Sequence, residues 1–206
     1  MSDNRFDRKA ADWDKKRMRR ELASAVSPAI TKLPLNRNML ALDFGCGTGL
    51  VSIPLAGKIG EIIALDSSAG MLEVLDEKLR SQKITNIQTL CAEIENAKLP
   101  ESFDLIFTSM ALHHIALIEP VLQRFSELLK PGGTVAIADL DAEDGSFHKP
   151  GSEEKHHGFD RATLEENLLR LGFSASTYST VHTIKKTMKD GSFRDFTVFL
   201  ATAKKL

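Results

Sequence analysis

Between Leu42 and Gly49 the chain reads LDFGCGTG, an acid, Asp43, at the tip of an apolar run and then glycines alternating at Gly45, Gly47 and Gly49. A strand that turns through glycines into a helix brings its backbone close to a ligand and aims helix N–H groups at it. A second apolar run, Ile62 to Leu65, ends in Asp66, about twenty residues past the glycines, where a carboxylate is placed to bind both hydroxyls of a ribose. The plainer alternatives are a connecting turn for the glycines and a helix N-terminal acid for Asp66. Taken together, the glycine turn and the distal acid predict a nucleoside-cofactor site.

The spacing bears on which cofactor. A dinucleotide fingerprint needs its third glycine one residue later, where this chain has Leu50, because a pyrophosphate must rest on the helix N-terminus. Asp43 beside the loop would repel a pyrophosphate and suits a ligand that carries cations. S-adenosylmethionine has an ammonium and a sulfonium and no phosphate. The stretch resembles the cofactor motif of class I S-adenosylmethionine-dependent methyltransferases, in which the acid and glycines hold the methionine half. An NAD-dependent oxidoreductase is the less favoured reading.

Candidates for acid–base work are histidines. His113 and His114 fall at the carboxyl end of the fourth apolar run, the edge where open α/β sheets bind ligands. One of them could act as general base, since imidazole titrates near neutrality, and neighbours in sequence are not expected both to point into the site. The stretch from Asp139 to His157 is dense in carboxylates and imidazoles, but no pair has a recognised metal-ligand spacing, so no metal is expected. Within it, His148 and His157 are the candidates for substrate contact or base catalysis, because this loop follows the fifth run. The basic run Lys15, Lys16, Arg17, Arg19 and Arg20 has Asp12, Asp14 and Glu21 interleaved, which predicts a solvated helix face. Cys46 reads as a small packing residue.

The elements that must position these groups alternate. After the runs Met39 to Leu42 and Ile62 to Leu65 come Ile87 to Ala92, Phe103 to Thr108 and Thr134 to Leu140. Helical periods lie between them: Met71, Leu72, Leu75 and Leu79 follow the capping residues Ser67 and Ser68, and Val121, Phe125, Leu128 and Leu129 follow Pro120. Alternating strands and helices predict a parallel sheet covered on both faces. The tail departs from this: a helix from about Asp160 to Leu171 is followed by two extended segments, Ser174 to Ile184 and Phe193 to Thr202. These predict a hairpin and one antiparallel strand at the sheet edge.

The resemblance extends to FDLIFTSMALHHI (Phe103 to Ile115), ELLKPGGTVAIADL (Glu127 to Leu140) and Gly172-Phe173. It implies a Rossmann-like, doubly wound α/β fold with a seven-stranded, mostly parallel sheet whose last strand is antiparallel. It also implies cofactor-binding roles for Asp43, Gly45, Cys46, Gly47, Gly49, Asp66 and Ser67. Met71 would pack on the adenine, and Ala92 and Glu93 would flank its edge. Many relatives place an Asp after the third strand; this chain reads Cys91-Ala92-Glu93, leaving Glu93 or a backbone carbonyl to take the adenine amino group. Phe6 to Arg17 resembles a lid helix in which Trp13 closes the site. The implied organisation is one domain over 1–206: a helical lid over 1–35, a cofactor-binding core over 36–140, and a substrate-side loop, helix and hairpin over 141–206.

Composition narrows the partners. With 206 residues, 42% apolar, 27% charged and a net charge of −1, the chain has no global field to gather nucleic acid or an anionic membrane. Cys46 and Cys91 form no disulfide or metal pattern and suit a reducing compartment. The start, MSDNRFDRKA, is not a signal peptide, and no run reaches the length of a membrane span, so a cytoplasmic location is expected. The residues after the fourth run, Thr108-Ser109-Met110-Ala111, lack the Asn- or Asp-Pro-Pro-aromatic tetrad of nucleic-acid amino-methyltransferases of this fold. The expectation is in-line methyl transfer to a small-molecule acceptor at an O, N or S atom. The alternative is a module that binds the cofactor without turnover. Oligomeric state is not legible.

Overall fold

Five apolar runs become parallel strands: β1 (Leu40–Phe44), β2 (Glu61–Asp66), β3 (Ile87–Cys91), β4 (Phe103–Ser109) and β5 (Leu129–Leu140). The computed structural model describes residues 6–148, 154–188 and 190–206. With β6 (Thr177–Thr187) and β7 (Phe193–Lys204), the strands form one seven-stranded sheet in the order β3-β2-β1-β4-β5-β7-β6. β7 runs antiparallel to both its neighbours, as expected for the last strand.

That strand is not at the edge, however. The expected hairpin forms, but β7 lies inside the sheet and β6 takes the rim. Burial explains the choice: Phe196, Val198, Phe199 and Leu200 of β7 are covered, whereas β6 is mostly exposed or half-exposed. An apolar strand is stable between two others, and a polar one tolerates an edge. β5 also begins earlier than Thr134, because Leu129 already pairs with Phe103 and Lys130 to Gly133 form an irregularity before Thr134 pairs with Leu105.

Helices cover both faces. On one face α1 (Arg17–Ile30), α2 (Ser52–Leu55) and α3 (Ala69–Gln82) pack against Ala41, Leu105 and Phe107. On the other, α4 (Ile118–Leu128) and α5 (Arg161–Arg170) pack against Leu42, Ile106 and Ile137. Successive strand residues thus feed opposite cores, as a period of two requires. Helix starts follow capping chemistry: Ser68 Oγ accepts from Met71 N at 3.2 Å, and Asp160 Oδ1 accepts from Thr163 N at 2.9 Å.

Two local expectations change. The helix after the glycine loop is a single turn, α2; Pro54 in it offers no N–H and Gly57 follows it. The N-terminal region is two pieces: a 3₁₀ helix over Asp7–Lys15, then α1, with extended Lys16 (ψ 114°) between them. The strand order reverses between β1 and β4, so the loops after these strands flank the crevice where open α/β sheets bind ligands.

Candidate functional site

The end of β1 carries Asp43 into a buried position, 2% exposed, where it accepts a short hydrogen bond from Ser52 Oγ. Burial pushes its carboxyl up to about 7, against the pull of Ser52 and with a contribution from the negative Asp66. The loop that follows is fastened to the end of β2. Gly45 and Cys46 N–H groups donate to the Leu65 carbonyl at 2.8 and 3.1 Å, and Gly47 N–H donates to Asp66 Oδ2 at 2.8 Å. These donors are consumed within the fold, so the loop does not present the row of free N–H groups that a helix terminus would. Asp66 Oδ1 accepts from Ser68 N at 2.9 Å. Each oxygen keeps a further lone pair for a hydroxyl. Burial also raises the Asp66 carboxyl, while the Ser68 and Gly47 N–H groups oppose the shift.

All three glycines have positive φ, +69°, +53° and +77° in chain order, but a methyl group meets different surroundings at each. At Gly45 it would lie 2.5 Å from Ala111 Cβ, and at Gly49 2.3 Å from Leu75 Cδ1. At Gly47 it would meet nothing within 4 Å. Gly47 thus faces open space, while Gly45 and Gly49 are pressed against neighbouring elements.

That space is a cavity of about 200 Å³. Of the residues singled out in the sequence, Asp43, Gly45, Cys46, Gly47, Asp66, Ser67, Met71, Ala92, Glu93 and Trp13 line it; Gly49 does not, and packs on α3 instead. Sequence reasoning missed several wall residues, among them Phe6, Arg19, Leu22, Ser109, Met110 and Ala111. Met110 has φ +56°, rare for a side chain of its size, with its N–H on the Ala138 carbonyl at 2.8 Å. No residue-type signal marks it. Cys46 is buried, which drives its thiol well above the usual range and away from a thiolate nucleophile.

The N-terminal 3₁₀ helix closes one side. Asp7 Oδ1 accepts from Gly70 N at 2.9 Å and Ser68 Oγ at 2.5 Å, at the start of α3. Asp14 accepts from Thr48 Oγ1 at 2.6 Å and pairs with Lys78, whose ammonium also donates to the Thr48 carbonyl at 2.6 Å. Trp13 meets Phe6 edge-on at 5.8 Å and carries the Arg19 guanidinium over its ring. Burial lowers Arg19 to about 10, with Asp14 opposing, which leaves it charged at neutral pH.

The histidines divide. His113 is 2% exposed and its Nδ1 lies 2.7 Å from Asp139 Oδ1, with Asp139 itself fully buried. A carboxylate only accepts, so Nδ1 carries a proton, and in the neutral ring the lone pair sits on Nε2. His114 lines the cavity, and both histidines line a broader cleft of about 1330 Å³ beside it. Neighbours in sequence therefore do share the cleft, because a short 3₁₀ turn over Leu112–His114 brings their ring centroids within 4.0 Å, with the planes tilted by 49°. His148 joins them, its ring 5.2 Å from that of His113 and its Nδ1 3.1 Å from Glu154. Burial lowers its pKa, with Glu154 opposing. His157 is elsewhere: its side chain is 63% exposed, 3.6 Å from Glu143, and lines neither space. Among the described residues no group of three His, Cys, Asp or Glu is arranged to hold a metal ion.

Residues 41–133 match the family described as methyltransferase domain. The chain is 38% identical over 119 residues to an uncharacterized methyltransferase of Schizosaccharomyces pombe, a segment covering 53% of this chain and 42% of that one. It is 33% identical over 107 residues to the ubiquinone biosynthesis O-methyltransferase of Nitrobacter winogradskyi, covering 52% and 40%. The chain thus spans less than half the length of these relatives. In fold it is similar to a chain of the complex between the Haloferax volcanii Trm112 methyltransferase activator and a methyltransferase, at TM-score 0.78, 18% identity and coverage of 100% and 99%. It is also similar to phosphoethanolamine N-methyltransferase 2 of Haemonchus contortus in complex with S-adenosyl-L-methionine, at TM-score 0.71 and 21% identity, covering 87% and 52%.

Proposed function

We propose that this chain, which carries a class I S-adenosylmethionine-dependent methyltransferase domain, moves a methyl group to a small-molecule acceptor by in-line displacement. The observation that carries the reading is the shared wall of the two spaces. Trp13, Arg19, Met110 and His114 line both the acid-rich glycine cavity and the histidine-bearing cleft, so a donor in one faces an acceptor in the other.

The residues fit the cofactor. Asp43 suits its ammonium and sulfonium, Asp66 its ribose, and Gly47 leaves room for its methionine half. Met71 would lie on the adenine, with Ala92 and Glu93 at its edge. Ser67 and Cys46 supply wall, and Trp13 and Phe6 form a lid that excludes water. When bound, S-adenosylmethionine supplies a methyl group on a positively charged sulfur. The chain then has to align the acceptor, which alone lowers the barrier by several kcal/mol. His113 Nε2, oriented through Nδ1 by Asp139, takes the acceptor's proton; His114 borders the donor and His148 the acceptor side. We place His157 outside this machinery. The relative named for ubiquinone biosynthesis favours a small acceptor.

The test is transfer of labelled methyl from S-adenosylmethionine into a cell extract, with folded Asp66→Ala protein as control. Asp66-dependent label among small metabolites supports the reading, and label in protein or nucleic acid overturns the acceptor class. A folded protein that neither transfers label nor binds S-adenosylhomocysteine is not this enzyme.

A further inference from the structure

The basic run is the exposed face that its sequence predicts, with Arg19 half-buried, and most of that face borders a cleft. Of its members, Lys15 pairs outward with Asp12 at 2.6 Å, but Lys16, Arg17, Arg19 and Arg20 line the broad cleft. Lys9 joins them, and β6 adds Lys185 and Lys186. Among the described residues, the cleft is bordered by seven lysines and arginines against two glutamates, in a chain of net charge −1.

The two acids offset only part of that charge. Glu21 is engaged by Arg17 at 2.6 Å, and Glu154 lies 3.1 Å from His148. Lys9 and Lys185 make no side-chain hydrogen bond or ion pair with any described residue. Like charges gathered along one concave surface repel each other, and they focus the field on whatever enters. The cofactor side differs: Arg19 is the one lysine or arginine among its described wall residues, beside Asp43, Asp66 and Glu93.

We propose that this cleft binds the methyl acceptor through an anionic group, a carboxylate or a phosphate, so that the acceptor is a small organic anion. The proposal rests on the methyltransferase reading for its word "acceptor". The anion is a handle and not the reacting atom. Cations beside the sulfonium would oppose it, and the cations other than Arg19 line only the cleft. Lys9 and Lys185 face the handle, and the histidines hold the reacting end.

Trp13 is the single tryptophan and lines both spaces, so its fluorescence reports each. Protein loaded with S-adenosylhomocysteine is titrated with pyrophosphate and with citrate, against sodium chloride at equal ionic strength. A saturable change with pyrophosphate assigns a phosphate handle, and one with citrate a carboxylate handle. The Lys9→Gln/Lys185→Gln protein should bind that anion about tenfold more weakly at unchanged S-adenosylhomocysteine affinity, whereas Lys58→Gln, an exposed lysine outside the cleft, should not. No saturable change with either anion, or one that the double variant leaves intact, overturns the proposal. Failure to bind S-adenosylhomocysteine overturns the methyltransferase reading instead, and is read separately in the loading step.

Discussion

An alanine series through the glycine loop separates packing from binding, because the three positions differ in what a methyl group meets. Each substitution forces a left-handed residue, at about 1–2 kcal/mol. Gly47→Ala adds nothing further, since its methyl would enter open space. At Gly45 the methyl would sit 2.5 Å from Ala111 Cβ, and at Gly49 2.3 Å from Leu75 Cδ1. Both need a shift of about 1 Å in packed surroundings, an overpacking cost of about 1–3 kcal/mol beyond the backbone term. Ala111 Cβ moves only with its backbone, so Gly45→Ala should cost most, about 3–5 kcal/mol in all. Urea unfolding should therefore rank Gly47→Ala as mildest. Titration with S-adenosylhomocysteine should reverse its standing, since that methyl occupies the space left for the ligand: a folded Gly47→Ala protein should bind about tenfold more weakly or worse. Wild-type affinity in Gly47→Ala would mean that the ligand does not occupy the space beside Gly47, and equal stability across the three variants would mean that the Ala111 and Leu75 contacts do not set the cost.

Further perturbations address the base, the acid and the lid. His113→Ala should slow methyl transfer about 10²–10⁴-fold while S-adenosylhomocysteine affinity stays unchanged; equal turnover would remove His113 as the base. Since Asp43 is raised to about 7, affinity for the cationic ligand should climb as pH rises through about 7 and then level off. Its effect on folding has the opposite sign. The folded chain holds a proton that the unfolded chain has released, so this group costs stability as pH rises from its unfolded value towards about 7. Calorimetry and unfolding across that window should show both trends in the wild type and neither in Asp43→Asn. Lys78→Ala should loosen the Asp14 latch and increase acrylamide quenching of Trp13, with unchanged quenching counting against the latch.

Much of the cofactor side was legible because it depends on backbone requirements that few residue types satisfy. Alternating glycines mark left-handed turns, and an acid at the end of β2 marks the loop it fastens. Strand runs were readable because a parallel sheet buries both faces. What escaped was set by tertiary competition. The extent of α2 was cut to one turn, and β7 entered the sheet because its partner strand was the more polar. The pairing of His113 with Asp139 spans 26 residues, and no local period encodes it. The cleft's charge was hidden for a related reason: alternation of Lys, Arg, Asp and Glu reads as a solvated face, and only the fold brings Lys185 and Lys186 of β6 to the same cleft.

The proposed function stands or falls with binding of the sulfonium cofactor in the cavity between the glycine loop and Asp66. Calorimetric titration of S-adenosylhomocysteine and of NADH into wild-type and Asp66→Asn protein measures that binding. Binding of S-adenosylhomocysteine should be saturable in the wild type and about ten- to hundredfold weaker in Asp66→Asn, through loss of a charged hydrogen bond in a protein that still folds, and NADH should not bind. Saturable NADH binding, or S-adenosylhomocysteine affinity that Asp66→Asn leaves untouched, would contradict the proposed function.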